Sequence, residues 1–222
     1  MAIPANTNRV WCAGVAAVLL LLIGGCNILG PAAYFIHGPP KVPAEHKLDK
    51  KRSTVIFIDD PQSVMSRRSL KTMTTDVAQK TLLDKHVLDN IIDGRAITTV
   101  VAGEDPQDPL SLDEIGREVG AEVLVYVKIT NFTLTRDGSS LTPLAEAQVK
   151  VIDVTEGGTN VWPGEFEGAA LRVEVKSKPG YLPGMSRSKR QQEEDMLAER
   201  FGVGVAQLFY KVEIYDSVRI TR

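Results

Sequence analysis

The first half of the globular sequence alternates between apolar runs and amphipathic stretches. Residues 54–58 form an unbroken run of apolar and β-branched side chains ending in an Asp-Asp-Pro turn, which predicts a strand buried on both faces. A helix is predicted over residues 66–84 because largely apolar side chains recur there at helical spacing. These positions are Leu70, Met73, Val77 and Thr81. Residues 87–103 fit either strand or short helix, with a turn at Asp93-Gly94 between their apolar halves.

A second helix is predicted from its end signals. Ser111 and Glu114 have the spacing of a capping box, and Leu110 with Ile115 has that of a hydrophobic staple. Gly120 is placed to end this helix in a left-handed conformation. The helix is therefore short and well delimited.

Three strands with alternating apolar and polar residues follow. Their apolar positions are Val123, Val125, Val127 and Ile129 in the first, Ala145, Ala147, Val149 and Val151 in the second, and Leu171, Val173 and Val175 in the third. The alternation reverses phase near Phe132 and at Ile152, as it does at a β-bulge. Asp137-Gly138 predicts a hairpin turn between the first two strands.

The last helix begins at Ser188, with Gln191 three residues later. Its apolar stripe is Leu197, Phe201, Val205, Leu208 and Val212. Gly202 and Gly204 each cost about 1 kcal/mol in helix propensity, which predicts close packing on the sheet. Together these elements predict an α+β fold, a two-layer α/β sandwich with a mixed or antiparallel sheet and helices on one face.

The N-terminus has the pattern of a bacterial lipoprotein signal. The apolar run Val10–Ile23 is about 14 residues long, too short for a comfortable membrane span but typical of a signal-peptide core. It ends in Ile23-Gly24-Gly25-Cys26, which resembles the lipobox. That resemblance implies cleavage before Cys26 and acylation of its sulfur. The alternative is an uncleaved signal anchor, although Gly30-Pro31 interrupts its extension.

These observations divide the chain into four parts. Cys12 would leave with the signal peptide, so the folded domain would keep no thiol for redox chemistry. Asn27, after the lipid-bearing cysteine, favours the outer membrane. The expected parts are a signal peptide (residues 1–25), a Pro-rich tether (26–53), one α/β domain (54–217) and a tail (218–222).

Composition narrows the range of functions. The 222 residues are 43% hydrophobic and 24% charged, with a formal net charge of −2, an ordinary globular mixture. Such a balance argues against a disordered chain and a multi-pass membrane protein. The absence of a basic excess also makes nucleic acid an unexpected partner.

The sequence offers little catalytic chemistry. It contains no phosphate-binding loop, dinucleotide fingerprint or metal-ligand spacing of histidine and cysteine. Two carboxylate pairs, Asp59-Asp60 and Glu165-Glu167, lie in turn-like sequences. We therefore expect no catalytic residue, cofactor or metal site, and a protein that is not an enzyme.

Residues 176–190 are locally basic. This segment is either a solvated loop or a contact for acidic headgroups, cell-wall polymer or a partner protein. The candidate partner contacts are Tyr181, Arg187, Lys189 and Arg190. Trp162 is expected to be a packing residue rather than a stacking platform.

Two stretches resemble a known group of envelope proteins. Residues 115–124 (IGREVGAEVL) resemble the short helix, Gly-Ala step and strand of the TolB N-terminal domain, and residues 149–162 (VKVIDVTEGGTNVW) resemble its strand, Asp-Val turn and next strand. The curli secretion lipoprotein CsgG and the penicillin-binding-protein activator LpoB share that fold. The resemblance implies a non-enzymatic protein that binds other proteins. It places the chain nearest to envelope lipoproteins of that shape whose roles are not assigned.

Three hypotheses for function follow. The first is a lipid-anchored accessory or adaptor of an envelope assembly, bound to the membrane by its lipid and to another envelope protein, with its domain in the periplasm. The second is a lipid-anchored solute- or polymer-binding module, whose pocket would use Trp162, Tyr126 or Tyr181. The third is an envelope hydrolase built on Asp59 or Glu165. The oligomeric state is left open.

Overall fold

The apolar run after Ser53 forms the central parallel strand of the main sheet. In the computed structural model, which describes residues 40–105, 107–175 and 182–218, this strand is β2 (Thr54–Asp59). It lies between β3 and β4 and runs parallel to both. Its residues from Thr54 to Ile56 are fully buried, as expected of a strand covered on both faces.

The helices and strands occur in the following order. The strands are β1 (Lys41–Val42), β2 (Thr54–Asp59), β3 (Ile91–Ile92), β4 (Val123–Thr133), β5 (Leu144–Asp153), β6 (Thr159–Trp162), β7 (Ala169–Glu174) and β8 (Val212–Glu213). The α-helices are α1 (Arg68–Asp84), α2 (Arg95–Ala102), α3 (Leu112–Glu118) and α4 (Arg187–Ala206). Short 3₁₀ turns occupy Leu182–Gly184 and Ile214–Asp216. The stretch left open between strand and helix thus contains one of each, β3 and α2.

The main sheet is mixed. Its strand order is β3-β2-β4-β5-β6, and β7 pairs with the first half of β5. β4 pairs antiparallel with β5, and β5 pairs antiparallel with both β6 and β7. β1 and β8 form a separate two-stranded sheet. The predicted α+β class is confirmed.

The two phase reversals in the sequence have different causes. The register between β4 and β5 shifts between Ile129 and Asn131, and that between β5 and β6 shifts between Val151 and Ile152. Phe132 and Ile152 are buried after these shifts. In β4 the extra residue, Thr130, keeps Phe132 inside when the simple alternation would turn it to water. At the second shift the extra residue is Val161 of β6. Ile152 stays in regular register with Leu124 and is buried on the opposite face of the sheet, beside Val55 and Leu124.

Each face of the sheet is covered by an apolar cluster, and one cluster is much larger than the other. The larger cluster packs α1 and α4 on the odd-numbered positions of β4 and β5, as predicted. The smaller cluster joins Val55, Leu124 and Ile152 to Ile97 of α2 and Ile115 of α3. The two short helices therefore add a cover to one end of the opposite face, whose remainder stays wet.

The inner face of α1 differs from the predicted stripe. The buried residues are Leu70, Thr74, Ala78, Gln79 and Leu82, so only Leu70 of the four predicted positions is fully buried. The helix is rotated because small side chains face α4, where Thr74 Oγ1 donates a hydrogen bond to the carbonyl oxygen of Ala198 (3.3 Å). Met73 and Val77 are only partly buried, and Val77 lies beside Gly202 of α4.

Helix α3 begins and ends as its sequence predicts. Ser111 and Glu114 form both halves of the capping box, and the carboxylate of Glu114 accepts from the Ser111 backbone N–H (2.8 Å). Gly120 follows the helix with φ of +74°, a conformation that favours glycine. Leu110 and Ile115 belong to the same apolar cluster.

The two glycines of α4 allow close approach, but to different partners. A Cβ at Gly202 would lie 2.6 Å from the carbonyl oxygen of Thr74 on α1, whereas one at Gly204 would lie 2.5 Å from Cγ2 of Val173 on β7. The predicted contact with the sheet is therefore made by Gly204. Gly202 instead lets two helices pack closely.

The compact unit begins earlier than the predicted domain boundary. The chain divides after Lys41, and residues from Val42 onward form one unit. Backbone N–H groups of Glu45 and His46 donate to the carbonyl oxygen of Leu208 (2.8 and 3.2 Å), and Leu48 packs on the larger apolar cluster. Residues 42–53, which we call the strap, thus belong to the domain rather than to the tether. Among the described residues, no helix is both long and apolar enough to cross a membrane.

Candidate functional site

Two predicted features lie outside the described residues. They are the lipid attachment at Cys26, with lipobox residues Ile23, Gly24 and Gly25, and the proposed contact residue Tyr181. Both remain predictions from the sequence.

The other three predicted contact residues lie together. Arg187, Lys189 and Arg190 occupy the first turn of α4, and all three are exposed. Ser186 caps the helix by accepting a hydrogen bond from the Lys189 backbone N–H (3.3 Å). No ion pair joins these cations to any described residue. Positive charge at a helix N-terminus is electrostatically unfavourable, so this α4 cationic turn is available to an acidic ligand.

The acidic turn that follows serves an internal role. The guanidinium of Arg67 donates to Asp195 (2.8 Å) and to Glu194 (3.2 Å). The hydrogen bond to Asp195, aided by the charges of both carboxylates, raises the pKa of Arg67 above its ordinary value. These two carboxylates therefore hold α4 against the start of α1 and are not directed at the cationic turn.

The two carboxylates at the end of β2 have different hydrogen-bond partners. Asp60 accepts hydrogen bonds from the backbone N–H groups of Val64 and Met65 (both 2.9 Å), so it fixes the turn. Asp59 accepts from the hydroxyl of Tyr126 (2.7 Å). Burial, and then that hydrogen bond, raises the pKa of Tyr126 well above its ordinary value. The two aspartates thus do not converge on one reacting position.

The second carboxylate pair flanks a protruding aromatic ring. Residues 163–168 connect β6 to β7, and the side chain of Phe166 is 91% exposed. The ammonium of Lys150 lies 4.9 Å from the ring centre, a cation–π contact. Glu165 and Glu167 are both exposed, one on each side of the phenylalanine in sequence. We call residues 163–168 the knob loop.

Trp162 is a packing residue, as expected. Its ring stacks on His46 of the strap at 5.7 Å and meets Phe209 edge-on at 6.3 Å. Burial lowers the pKa of His46, which favours the neutral imidazole in this aromatic contact. Trp162 thus fixes the strap to the domain.

An ion pair fixes the other end of the strap. Arg52 Nη1 and Nη2 donate to the two oxygens of Asp153 at 2.6 and 2.8 Å, and Nη2 also reaches the carbonyl oxygen of Glu122 (3.1 Å). The hydrogen bonds from Arg52 and Thr155 hold the pKa of Asp153 well below its usual range. This geometry is bidentate, which strengthens the pair and fixes its orientation.

Two of the depressions on the described surface bear on ligand or partner binding. An open groove of about 1030 Å³ runs between the strap and the wet sheet face. Arg172, which lines the groove, is paired with Glu146 (3.1 Å) and Glu174 (2.7 Å). Neither Trp162 nor Tyr126 is among the described residues that line this groove. Tyr181, the third aromatic residue expected in a solute-binding pocket, lies outside the described residues.

The second depression is a cleft of about 310 Å³ between α1 and α2. Its floor is Ile56, Phe57 and Ile58 of β2, and Ile97, Val101 and Ala102 of α2 also line it. Its charged lining residues are Arg68, Lys71, Asp76 and Arg95. We call this the α1–α2 cleft. Within the described parts of the chain, no group of three or more histidine, cysteine or acidic side chains is placed to hold a metal ion.

Comparison with known proteins gives structural similarity only. No family model and no curated protein sequence matches the chain. The chain is similar in structure to a PelC dodecamer subunit from Paraburkholderia phytofirmans, with 11% identity, coverage of 77% of this chain and 96% of that one, and a TM-score of 0.38. The LpoB C-terminal domain from Salmonella enterica has 14% identity, covers 66% and 94%, and scores 0.34. Lipoprotein GNA1162 from Neisseria meningitidis has 8% identity, covers 70% and 97%, and scores 0.37.

These similarities are distant and carry no functional argument. LpoB is one of the proteins that residues 115–124 and 149–162 resemble, so that part of the expected resemblance recurs among the similar structures. No activity or partner follows from it.

The sequence pattern missed the knob loop and the α1–α2 cleft as surfaces. One local feature of the sequence could have indicated that Phe166 is exposed: it is a single aromatic residue between two acidic residues in a turn. No local feature of the sequence indicates the cleft, because it forms only when two helices pack over the same strand.

Proposed function

We propose that this protein is a lipid-anchored component of a bacterial cell envelope, and that its domain acts without catalysis as an accessory protein bound to another envelope protein. The observation that carries the proposal is the sequence Ile23-Gly24-Gly25-Cys26 directly after a signal-peptide-like apolar run. Acylation of Cys26 would anchor the protein, and two or more acyl chains would hold it firmly. Asn27 favours the outer membrane, with the domain in the periplasm.

The α4 cationic turn is the contact that we assign to the partner. Three exposed cations, none of them in an ion pair with a described residue, lie on one helical turn. An acidic protein surface would gain these interactions without first breaking ion pairs in this chain. Such complementarity would speed association and favour the correct partner.

Lipid attachment can be tested with the two cysteines of the chain. Metabolic labelling with a fatty acid should label the wild type and Cys12→Ala, and Cys26→Ala should lose both the label and its membrane association. Mass spectrometry of the mature N-terminus should find a diacylglycerol-modified Cys26. Labelling that persists in Cys26→Ala would contradict the lipobox, and an unlabelled wild type retaining residues 1–25 would indicate a signal anchor.

The partner can be tested by crosslinking in cells. Reversal of the cationic turn (Arg187→Glu, Lys189→Glu and Arg190→Glu) should abolish capture of a defined envelope protein. A charge-matched control that reverses Lys51, Arg200 and Lys211, all exposed, should retain it. Equal capture by both variants would exclude the turn as the contact. Retention of purified cell-wall polymer through the turn, with no protein captured, would favour the polymer-binding alternative.

A further inference from the structure

We propose that the protein associates with itself head to tail, the knob loop of one copy inserting into the α1–α2 cleft of the next. Phe166 exposes 91% of its side chain, a large apolar surface to leave in water. Single exposed apolar residues are common on protein surfaces. What distinguishes Phe166 is that the same molecule carries an apolar cleft with matching charges.

The knob loop is held in a defined shape. The side-chain amide of Asn160 donates to the carbonyl oxygens of Pro163 (2.7 Å) and Glu165 (3.4 Å). Gly168 has φ of +100°, and a Cβ there would lie 3.0 Å from the carbonyl oxygen of Val149. The loop is thus fixed at its base, and the cation–π contact with Lys150 restrains the ring. Little conformational entropy remains to be lost on binding.

The α1–α2 cleft has room and an apolar floor for such a ring. Its volume of about 310 Å³ lies over Ile56, Phe57 and Ile58. Val101, at its edge, is 36% exposed. β3 pairs only with Thr54 and Val55, so the later half of β2 has no strand neighbour on this side among the described residues. An aromatic side chain would cover this floor.

The charges at the two surfaces are complementary. Glu165 and Glu167 give the knob loop two negative charges, and neither forms an ion pair with a described residue. With the Lys150 ammonium over the ring, the surface around Phe166 has a net charge of −1. The cleft carries three cations (Arg68, Lys71 and Arg95) and one carboxylate, Asp76, and therefore a net charge of +2. Only Arg95 is paired there, with Asp76 (3.2 Å). Seating Phe166 would bring its flanking acids to this rim.

The sheet topology requires the contact to be between molecules. The cleft lies at the β3–β2 edge of the sheet, whereas the knob loop connects β6 and β7 at the opposite edge. A copy therefore cannot seat its own knob in its own cleft. Each copy would use both surfaces, a heterologous contact that closes into a ring or continues as a chain. This inference does not depend on the proposed function, since it requires no lipid.

The experiment uses the full chain in detergent, with two differently tagged copies and size measured by light scattering. The wild type should form assemblies larger than a dimer. Phe166→Ala removes the knob and Val101→Asp blocks the cleft, and each should weaken self-association by about tenfold or more. Leu83→Asp, which changes an equally exposed apolar residue of α1 outside the cleft, should behave as the wild type.

A mixture of the two single variants gives the decisive result. The intact cleft of Phe166→Ala should accept the intact knob of Val101→Asp, giving a one-to-one dimer that cannot grow. Reversing the acids of the knob loop (Glu165→Lys with Glu167→Lys) should also weaken association. Adding Arg68→Glu and Lys71→Glu to that variant, so that the charges of both surfaces are reversed, should restore it. A monomeric wild type, full association of both single variants, or failure of their mixture to form the dimer would each overturn the proposal. A photo-crosslinker at position 166 that captured another protein instead of residues 68–102 of a second copy would also overturn it.

Discussion

Arg52 and Asp153 are 101 positions apart in the chain, yet they form the most tightly defined ion pair of the strap. The Asp153 side chain is 8% exposed and that of Arg52 27%. No pattern in the sequence links them, because Arg52 lies in a basic, proline-bearing stretch that is typical of a tether. The individual roles of Ser111, Glu114 and Gly120 were predictable because each depends on neighbours within a few residues. Contacts between residues that are distant in the sequence were not predictable.

We expect Asp153→Asn to lower the free energy of unfolding by about 2–3 kcal/mol. The substitution leaves the partly buried guanidinium of Arg52 without its counter-charge, which costs more than losing a surface pair. Urea denaturation followed by circular dichroism measures the change. Glu146→Gln, which weakens the more exposed pair with Arg172, should cost less than about 1 kcal/mol. Equal losses in the two variants would contradict this account.

The same pair predicts a pH dependence. The pKa of Asp153 is lowered in the folded protein, so its stabilisation is complete above the unfolded pKa of about 3.9 and is lost as pH falls below it. The wild type should therefore lose stability between about pH 5 and pH 2 more steeply than Asp153→Asn. Asp137, whose pKa is lowered by backbone N–H groups of Ser140 and Ser139, contributes equally to both proteins. Parallel curves would exclude the ion pair as the cause.

At the scale of elements, the prediction was good where the pattern was local and strong. The long strands, the bulge before Phe132 and the capped helix α3 follow from alternation and end signals. The reversal at Ile152 does not mark a bulge in β5, because the opposite face of the sheet is also covered there. The predicted inner face of α1 was wrong because hydrophobicity alone pointed to Met73 and Val77, whereas the fully buried positions include Thr74 and Ala78. Val77 is half-buried and lies beside Gly202 of α4. β3 has only two residues, too few for any periodicity to indicate.

The contact between α1 and α4 gives a test at this scale. Gly202→Ala should destabilise the protein by about 1–2 kcal/mol even though alanine is the better helix former by about 1 kcal/mol. The added Cβ would lie 2.6 Å from the Thr74 carbonyl oxygen and 2.9 Å from Cβ of Val77, so backbone must move. Gly164→Ala, where a Cβ meets nothing within 4 Å, should change stability by less than about 0.5 kcal/mol. A stabilised Gly202→Ala in thermal or urea unfolding would show that the helices can separate freely.

At the scale of the whole molecule, the candidate surfaces differ in how far the sequence predicts them. The α4 cationic turn was predictable because its residues are neighbours in the chain. The α1–α2 cleft is formed by β2, α1 and α2. The cleft and the knob loop lie at opposite edges of the sheet because of the strand order. Such surfaces emerge only from topology. The strap is a similar case, since its partners Trp162, Asp153 and Leu208 all come from later in the sequence.

Limited proteolysis of the full chain distinguishes a docked strap from a free tether. A protease specific for lysine and arginine should leave a resistant fragment that starts at or before Val42 and keeps the whole strap, although Lys47, Lys50, Lys51 and Arg52 all lie within the strap. Cleavage needs an extended, locally unfolded backbone, and the strap is held by Leu208, Trp162 and Asp153.

Asp153→Asn should expose this segment, so that N-terminal sequencing finds new starts after Lys51 or Arg52. Glu146→Gln, which alters an ion pair that includes no strap residue, should leave the strap uncut. If the wild type is instead cut first at Arg52, the strap opens more readily than the domain. The ion pair with Asp153 then adds little to its docking.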